Sequence, residues 1–187
     1  SDQFYLVSEK EIFLGYDMKL NDGQEVIGYG YYPLTVEPAG GATIKQDSKT
    51  YDFLVIETGS TAGQVTLTSD VSDESWTLNL VEPAAIDGAA LLFNEPVDVG
   101  ESETFRVEPT VQGSTICQAS AVVELEVLTP DVCDVTPLED EAEELTASLT
   151  RLPGWLKVSG KAVGDCTFTA TYPAGNGGEG ATKELTL

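Results

Sequence analysis

The residues of this chain that could do chemistry are carboxylates and three cysteines, because it contains no histidine. Of its 187 residues, 32 are Asp or Glu and 9 are Lys or Arg, which gives a formal net charge of −23. Without histidine, no Ser-His-Asp triad, Cys-His pair or imidazole zinc ligand can form. Paired carboxylates could hydrolyse glycosides, but that reaction needs two of them at a fixed separation inside a cleft.

The net charge also limits the partners. Like charges repel, so the chain is not expected to bind nucleic acid or an anionic membrane. No run of about 18 apolar residues is present, so no membrane insertion is expected. The densest acidic run, at 138–144, could offer oxygen ligands to Ca²⁺, but it lacks the D-x-[DN]-x-[DN]-G spacing. We expect a solvated loop and no cofactor there, and keep Ca²⁺ as the alternative.

The three cysteines, Cys117, Cys133 and Cys166, match no zinc-site spacing. A disulfide needs Cα atoms within about 7 Å, and a predicted strand separates Cys117 from Cys133. The sequence therefore favours a Cys133–Cys166 disulfide, which suits an oxidising compartment. Three buried thiols in a cytosolic protein are the rival interpretation. A reactive thiol is not expected, because no base or basic neighbour is evident.

Aromatic residues could stack on sugar rings, and Tyr29, Tyr31 and Tyr32 form the one evident cluster. Aromatics on a strand more often pack in the core or against a cross-strand neighbour. Trp76 and Trp155 are likewise predicted to be core anchors, one in each half of the chain.

The elements that must position these residues are β-strands, since apolar and polar residues alternate with a period of two. The clearest strands are predicted at 64–68, 75–80 and 166–171, and shorter ones at 103–107 and 122–128. Clusters of Gly, Pro, Asn and Asp interrupt them at short intervals. Many short alternating strands between turn signals are typical of antiparallel β-sandwiches.

An internal repeat indicates how these strands are organised. Residues 59–68 and 160–169 both read G-x-x-x-G-[QD]-[VC]-T-[LF]-T. Residues 77–80 match 184–187, and residues 34–38 resemble 105–109. The repeat predicts two similar domains, 1–82 and 83–187, joined through the Pro- and Gly-containing stretch at 81–88. Their formal charges are −10 and −13, so acidity is a surface property of both.

Residues 155–172, WLKVSGKAVGDCTFTATY, resemble the C-terminal half of a bacterial immunoglobulin-like domain of group 2. The family pattern is similar to V-x-G-x-x-x-G-x-A-x-I-T-A. Such domains are seven-stranded sandwiches of bacterial surface and periplasmic proteins, often spacers in adhesins. The resemblance implies two tandem immunoglobulin-like antiparallel β-sandwiches, with no catalytic residues to carry over. The chain departs from the pattern in its cysteines and in an insertion at 136–146.

We therefore expect a non-catalytic extracytoplasmic module that acts as a structural spacer or binds a protein partner. Its expected location is the periplasm, the cell surface or the medium. Anchoring to a membrane by a lipid attached to a removed N-terminal segment is compatible with this location. The alternative is a carbohydrate-binding or calcium-assisted adhesin module whose partner is a surface glycan. An enzyme would need a deep pocket with convergent acids, which small sandwiches do not offer.

Overall fold

The computed structural model describes residues 3–9, 12–15, 34–45, 53–70, 75–92, 95–119, 123–138, 154–173 and 180–187. Over these residues the chain forms fifteen β-strands and one three-residue 3-10 turn, Pro83–Ala85. It divides into two compact units, unit 1 (Ser1–Glu82) and unit 2 (Pro83–Leu187). None of the sheets formed by the described strands contains strands from both units. The predicted class is confirmed: the fold is all-β, two tandem immunoglobulin-like β-sandwiches.

Unit 1 is built from two sheets that bury apolar side chains. Its strands are β1 (Gln3–Leu6), β2 (Ile12–Gly15), β3 (Leu34–Glu37), β4 (Ala42–Lys45), β5 (Phe53–Thr58), β6 (Gly63–Ser69) and β7 (Ser75–Val81). The sheet orders are β1-β7-β6-β3 and β2-β5-β4. Among these strands β1 and β7 pair in parallel and the other pairs are antiparallel. Both sheets contribute to the core, through Ile12, Val55, Ile56, Val65, Leu67, Leu78 and Leu80.

Unit 2 has the same arrangement of two sheets, and its described residues form eight strands. They are β8 (Gly88–Leu92), β9 (Ser102–Val111), β10 (Ser114–Thr115), β11 (Glu124–Val127), β12 (Cys133–Pro137), β13 (Trp155–Gly160), β14 (Thr167–Tyr172) and β15 (Ala181–Thr186). One sheet has the order β10-β9-β13-β12 with β8 also on β9, and the other is β11-β14-β15. A single core lies between them, formed mainly by Phe105, Val107, Leu156, Val158, Phe168, Ala170, Tyr172 and Leu185.

The two glycines of the repeat have the same role in both units. A Cβ on Gly59 or Gly160 would collide with a backbone carbonyl oxygen of an adjoining segment, so only glycine allows this close approach. Gly63 and Gly164 have φ values of 145° and 156°, a region that disfavours other residues. The G-x-x-x-G pattern is therefore a backbone requirement of the loop that leads into β6 and β14.

The sequence match between the last strands of the two units, 77–80 and 184–187, is displaced by two residues from their structural equivalence. Val65 pairs with Leu78 in unit 1, whereas Cys166, which holds the place of Val65, exchanges both backbone hydrogen bonds with Leu187. The sequence match had aligned Leu78 with Leu185. A slip of two residues leaves the same side chains facing the core, so alternation alone does not detect it.

Residues 34–38 and 105–109 resemble each other in sequence, but the structural equivalence inferred from this resemblance was wrong. β3 pairs with β6, and β14, the counterpart of β6, pairs with β11. The true counterpart of β3 is therefore β11, whereas residues 105–109 lie in β9 of the other sheet. Short strands with the same alternation are interchangeable by sequence, and only the ladder distinguishes them.

Neither tryptophan is a fully buried core anchor. Trp76 shares a strand face with Leu78 but remains half-buried at the start of β7. Trp155 lies on the opposite face of β13 from Leu156 and Val158, which are buried in the core. Successive side chains of a strand alternate between faces, so the burial of Leu156 places Trp155 outside the core.

Candidate functional site

A disulfide joins the two sheets of unit 2. Cys133 begins β12, Cys166 lies one residue before β14, and their Cα atoms are 5.6 Å apart. Both side chains are buried. β12 pairs with β13, so the two cysteines come from opposite sheets and not from neighbouring strands of one sheet. Residues 128–132 carry the chain from one sheet to the other, which brings the two cysteines together across the sandwich.

The loops around this disulfide are tied to one another by hydrogen bonds. Thr129 Oγ1 donates to the carbonyl oxygen of Asp165 at 3.1 Å. The backbone N–H of Lys161 donates to the carbonyl oxygen of Val132 at 2.7 Å. Lys161 Nζ also forms an exposed ion pair with Asp134 at 2.7 Å. An exposed ion pair stabilises little by itself, so the backbone bonds do most to fix the loops.

A hollow of about 430 Å³ opens beside the disulfide at this end of unit 2. We call it the end hollow. Apolar side chains and polar atoms, mostly of the backbone, contribute about equally to its exposed wall, which is formed by Pro96, Val97, Val132, Cys133, Val158, Gly160, Ala162, Gly164, Asp165, Cys166 and Leu187. The disulfide-bonded cysteines, predicted as a structural pair, are thus also part of its floor.

A second cluster lies on the outer face of β9. Arg106 and Glu108 alternate with the core residues Phe105 and Val107, so they point away from the core. They form an ion pair of 2.9 Å, with only 14% and 8% of their side chains exposed. The guanidinium carbon of Arg106 lies 5.9 Å from the ring centroid of Trp155, within range of a cation–π contact. We call these three residues the outer-face cluster.

The sequence did not reveal the outer-face cluster, because alternation assigns Arg106 to the solvent face and the predicted strand ended at Val107, before Glu108. The dipeptide Gln112-Gly113 has positive φ at both positions and turns β9 into β10. A two-residue turn whose second residue is Gly is a hairpin signal, and it would have extended the predicted strand past Glu108.

Burial controls the protonation of the groups near this cluster. Desolvation raises the pKa of Glu108, although Arg106 and the backbone N–H of Gln118 oppose the shift. Desolvation, and then the charge of Glu108, raise the pKa of the free Cys117 thiol, so it stays protonated and weakly nucleophilic. Arg106 is a basic neighbour that the sequence did not reveal, but its effect on Cys117 is smaller than that of burial.

Tyr172 ties this region to the core. It is buried on β14, and its hydroxyl donates to the carbonyl oxygen of Val107 at 3.1 Å. Desolvation is the main cause that raises the pKa of Tyr172, followed by the charge of Glu108. The phenol therefore stays neutral and acts as a structural hydrogen-bond donor between the two sheets of unit 2.

Replacing Arg106 with methionine is expected to destabilise unit 2 by about 2 kcal/mol at pH 7, because it leaves the buried carboxylate of Glu108 unpaired. The pKa of Glu108 is raised in the folded state, so folding favours its protonated form. The stability that this form contributes is lost as the pH rises from the pKa of the unfolded state through that of the folded state. Without Arg106 that pKa rises further, and the loss should be smaller at pH 4 than at pH 7. Urea unfolding at both pH values measures this.

The matched control for that substitution is Trp155→Phe. Among the described residues, Arg106 Nε and Trp155 Nε1 are buried N–H groups without a hydrogen-bond partner. Phenylalanine keeps an aromatic ring under Arg106 and removes one unpaired donor, so it should change stability by no more than about 1 kcal/mol. A loss for Arg106→Met that is equal at both pH values would contradict a role for the charge of Glu108.

The other candidate residues of the sequence analysis lie outside the described part of the chain. These are Tyr29, Tyr31 and Tyr32, considered for sugar binding, and the acidic residues at 139–144, considered for calcium. Both hypotheses stay predictions. Within the described ranges, no three or more Cys, Asp or Glu side chains are arranged to hold a metal ion. The same ranges contain no helix with the length and apolar character needed to cross a membrane.

Solved structures similar to this chain come from bacterial surface proteins. Domains 5–6 of the S-layer protein SbsC are 12% identical, with 99% of this chain and 92% of that chain covered and a TM-score of 0.42. Yersinia pseudotuberculosis adhesin InvE is 12% identical over 98% of this chain and 55% of that chain, with a TM-score of 0.37. The D00-D0 domain of intimin is 8% identical over 99% and 95%, with a TM-score of 0.32.

These matches are distant. The chain spans 22% of the six-domain SbsC structure that it also matches. No protein-family model and no curated protein matches the sequence. Likenesses at this level carry no argument about function, which must come from the residues of the chain itself.

Proposed function

We propose that the chain is a non-catalytic extracytoplasmic module, a structural spacer or protein-binding segment of a bacterial surface or periplasmic protein. The observation that carries this proposal is the disulfide of unit 2. Disulfides persist in oxidising compartments and are rare in the cytosol. Here the bond joins the two sheets of a sandwich and both of its cysteines are buried, so its role is structural.

The proposal includes the subtype and the domain division. Residues 155–172 resemble the group 2 kind of bacterial immunoglobulin-like domain, and both glycines of that motif meet backbone requirements in each unit. This supports two related domains, 1–82 and 83–187, that arose as copies of one sandwich. Negative charge spread over both units supports solubility and makes association of their sheet edges less favourable.

The location can be tested in intact cells of the source organism. A membrane-impermeant biotin reagent, or protease after opening of the outer membrane, should reach the chain without lysis. Thiols trapped with iodoacetamide at harvest should show Cys117 alkylated and a peptide that links Cys133 to Cys166. A chain that is labelled only after lysis, with all three cysteines alkylated, would contradict the extracytoplasmic proposal.

The calcium-assisted alternative makes a different prediction for the purified protein. If the run at 138–144 bound Ca²⁺, millimolar CaCl₂ would raise the melting temperature and an excess of EDTA would lower it. For the spacer or protein-binding role we expect no shift beyond that produced by MgCl₂ at the same concentration. A calcium-specific rise would favour the adhesin alternative instead.

A further inference from the structure

The end hollow of unit 2 is a concave surface, partly apolar and partly polar, that the structural role of the disulfide does not explain. Its volume of about 430 Å³ is within the range of about 300–1,000 Å³ typical of ligand sites. Val158 and Cys166 form part of its floor and belong to the core. Ala162 and Gly164 are exposed at its wall, so the hollow is open to solvent. An occupant could reach it without rearrangement of the sheets.

Apolar surface continues beyond the hollow. Val99 is 53% exposed and forms a β-bridge with Gly160, which lines the hollow. Val163 is 95% exposed and stands between two lining residues, Ala162 and Gly164. Exposed apolar side chains beside a concavity that is itself partly apolar are typical of binding surfaces. A polypeptide segment could cover both the hollow and these side chains, which a small molecule inside the hollow would not.

At the corresponding position of unit 1, Val65 replaces Cys166 and packs against Gly41, so that a Cβ on Gly41 would be 2.6 Å from a methyl carbon of Val65. All three cysteines lie in unit 2, so the disulfide in the floor of the hollow is a feature of unit 2 and not of the repeat.

The charges around the hollow indicate which charge an occupant should carry. The three segments that wall it, 95–101, 128–134 and 160–166, contain one basic residue, Lys161, which is held by Asp134. The same segments carry the exposed carboxylates of Glu95, Asp98, Glu101, Asp131, Asp134 and Asp165. Such a field attracts cations and repels anions. A second copy of this chain, at −23, would be repelled.

We propose that the end hollow binds a cationic, apolar polypeptide segment of a partner protein. One or two large apolar side chains of that segment enter the hollow, and its flanking Lys or Arg side chains meet the surrounding carboxylates. Asp165 both lines the hollow and carries a charge, so it contacts the occupant directly. This inference rests on the proposed role as a non-catalytic module and names the kind of partner that such a module would hold.

The test uses the full ¹⁵N-labelled chain and three synthetic peptides observed by NMR. Ac-Lys-Phe-Leu-Lys-NH₂ should shift the backbone amides of Val132, Ala162 and Gly164 in a saturable way. Ac-Glu-Phe-Leu-Glu-NH₂ tests the charge, and Ac-Lys-Gly-Ser-Lys-NH₂ tests the apolar part. Neither should give saturable shifts at these amides, because each lacks one of the two interactions.

Variants then locate the binding. Ala162→Trp fills the exposed wall of the hollow and should abolish the saturable shifts. Asp165→Lys reverses one charge beside the hollow and should weaken binding about threefold, as expected for a screened charge contact at the surface. The control, Glu184→Lys, makes the same charge change on an exposed position of β15 and should leave the affinity unchanged.

Several results would overturn the inference. One is equal shifts with the Lys-Phe-Leu-Lys and Lys-Gly-Ser-Lys peptides, which would show only diffuse attraction to an acidic surface. Another is unchanged binding in Ala162→Trp. A third is a shift of the hollow amides with protein concentration alone, which would assign this face to self-association. None of these results bears on the compartment or the disulfide state, so the proposed function can fail or stand separately.

Discussion

Replacing Phe168 with alanine is expected to destabilise unit 2 by about 3–5 kcal/mol and to leave unit 1 unchanged. Phe168 is fully buried near the start of β14, where it packs between the two sheets. Its counterpart in the repeat is Leu67, which is equally buried in β6. Leu67→Ala should therefore cost unit 1 about 2–5 kcal/mol and leave unit 2 unchanged.

Hydrogen exchange measured by mass spectrometry can assign each loss to a unit. Peptides from the substituted unit should lose protection, whereas peptides from the other unit should exchange at the wild-type rate. The matched controls are Thr68→Ala and Thr169→Ala, the next residues in the same two strands, which point away from the core and should change stability by less than about 1 kcal/mol. Protection lost in both units after either core substitution would contradict the proposal that 1–82 and 83–187 are separate domains.

The fold could be predicted from this sequence to the extent that side-chain alternation determines it. Val123, Leu125 and Val127 alternate with two exposed glutamates, and they face the core as expected. Alternation shows which side chains of a strand face the core, but it does not identify the neighbouring strand or fix the register. For that reason β3 was matched with β9 instead of β11, and the last strand was placed two residues out.

The outer-face cluster and the end hollow were beyond that information for a different physical reason. Arg106 and Glu108 occupy positions that alternation assigns to solvent, and their burial depends on what packs over the outer face of β9. The hollow forms where three loops meet, and loop positions carry no periodic signal. By contrast, the glycines at 59, 63, 160 and 164 were visible, because a backbone constraint restricts a position to one residue type.

Removing the disulfide is expected to destabilise unit 2 by about 3–4 kcal/mol without affecting unit 1. The bond closes a loop in which the cysteines are 33 residues apart, and its loss restores the conformational entropy of that loop to the unfolded chain. For a unit of this size, each kcal/mol corresponds to about 4–8 °C in melting temperature. Cys133→Ala/Cys166→Ala should therefore melt at least about 10 °C below the wild type in the transition that belongs to unit 2.

Cys117→Ala is the control for that experiment, because Cys117 is the free cysteine and the substitution leaves the bond intact. Dithiothreitol should lower the melting temperature of Cys117→Ala most of the way to that of the double variant, and it should not affect the double variant itself. The comparison separates the loop entropy from the packing lost by the alanines, since reduction opens the loop and keeps both sulfur atoms in the core. If dithiothreitol left the unfolding of Cys117→Ala unchanged, Cys133 and Cys166 would act only as buried side chains. The argument for an oxidising compartment would then lose its basis.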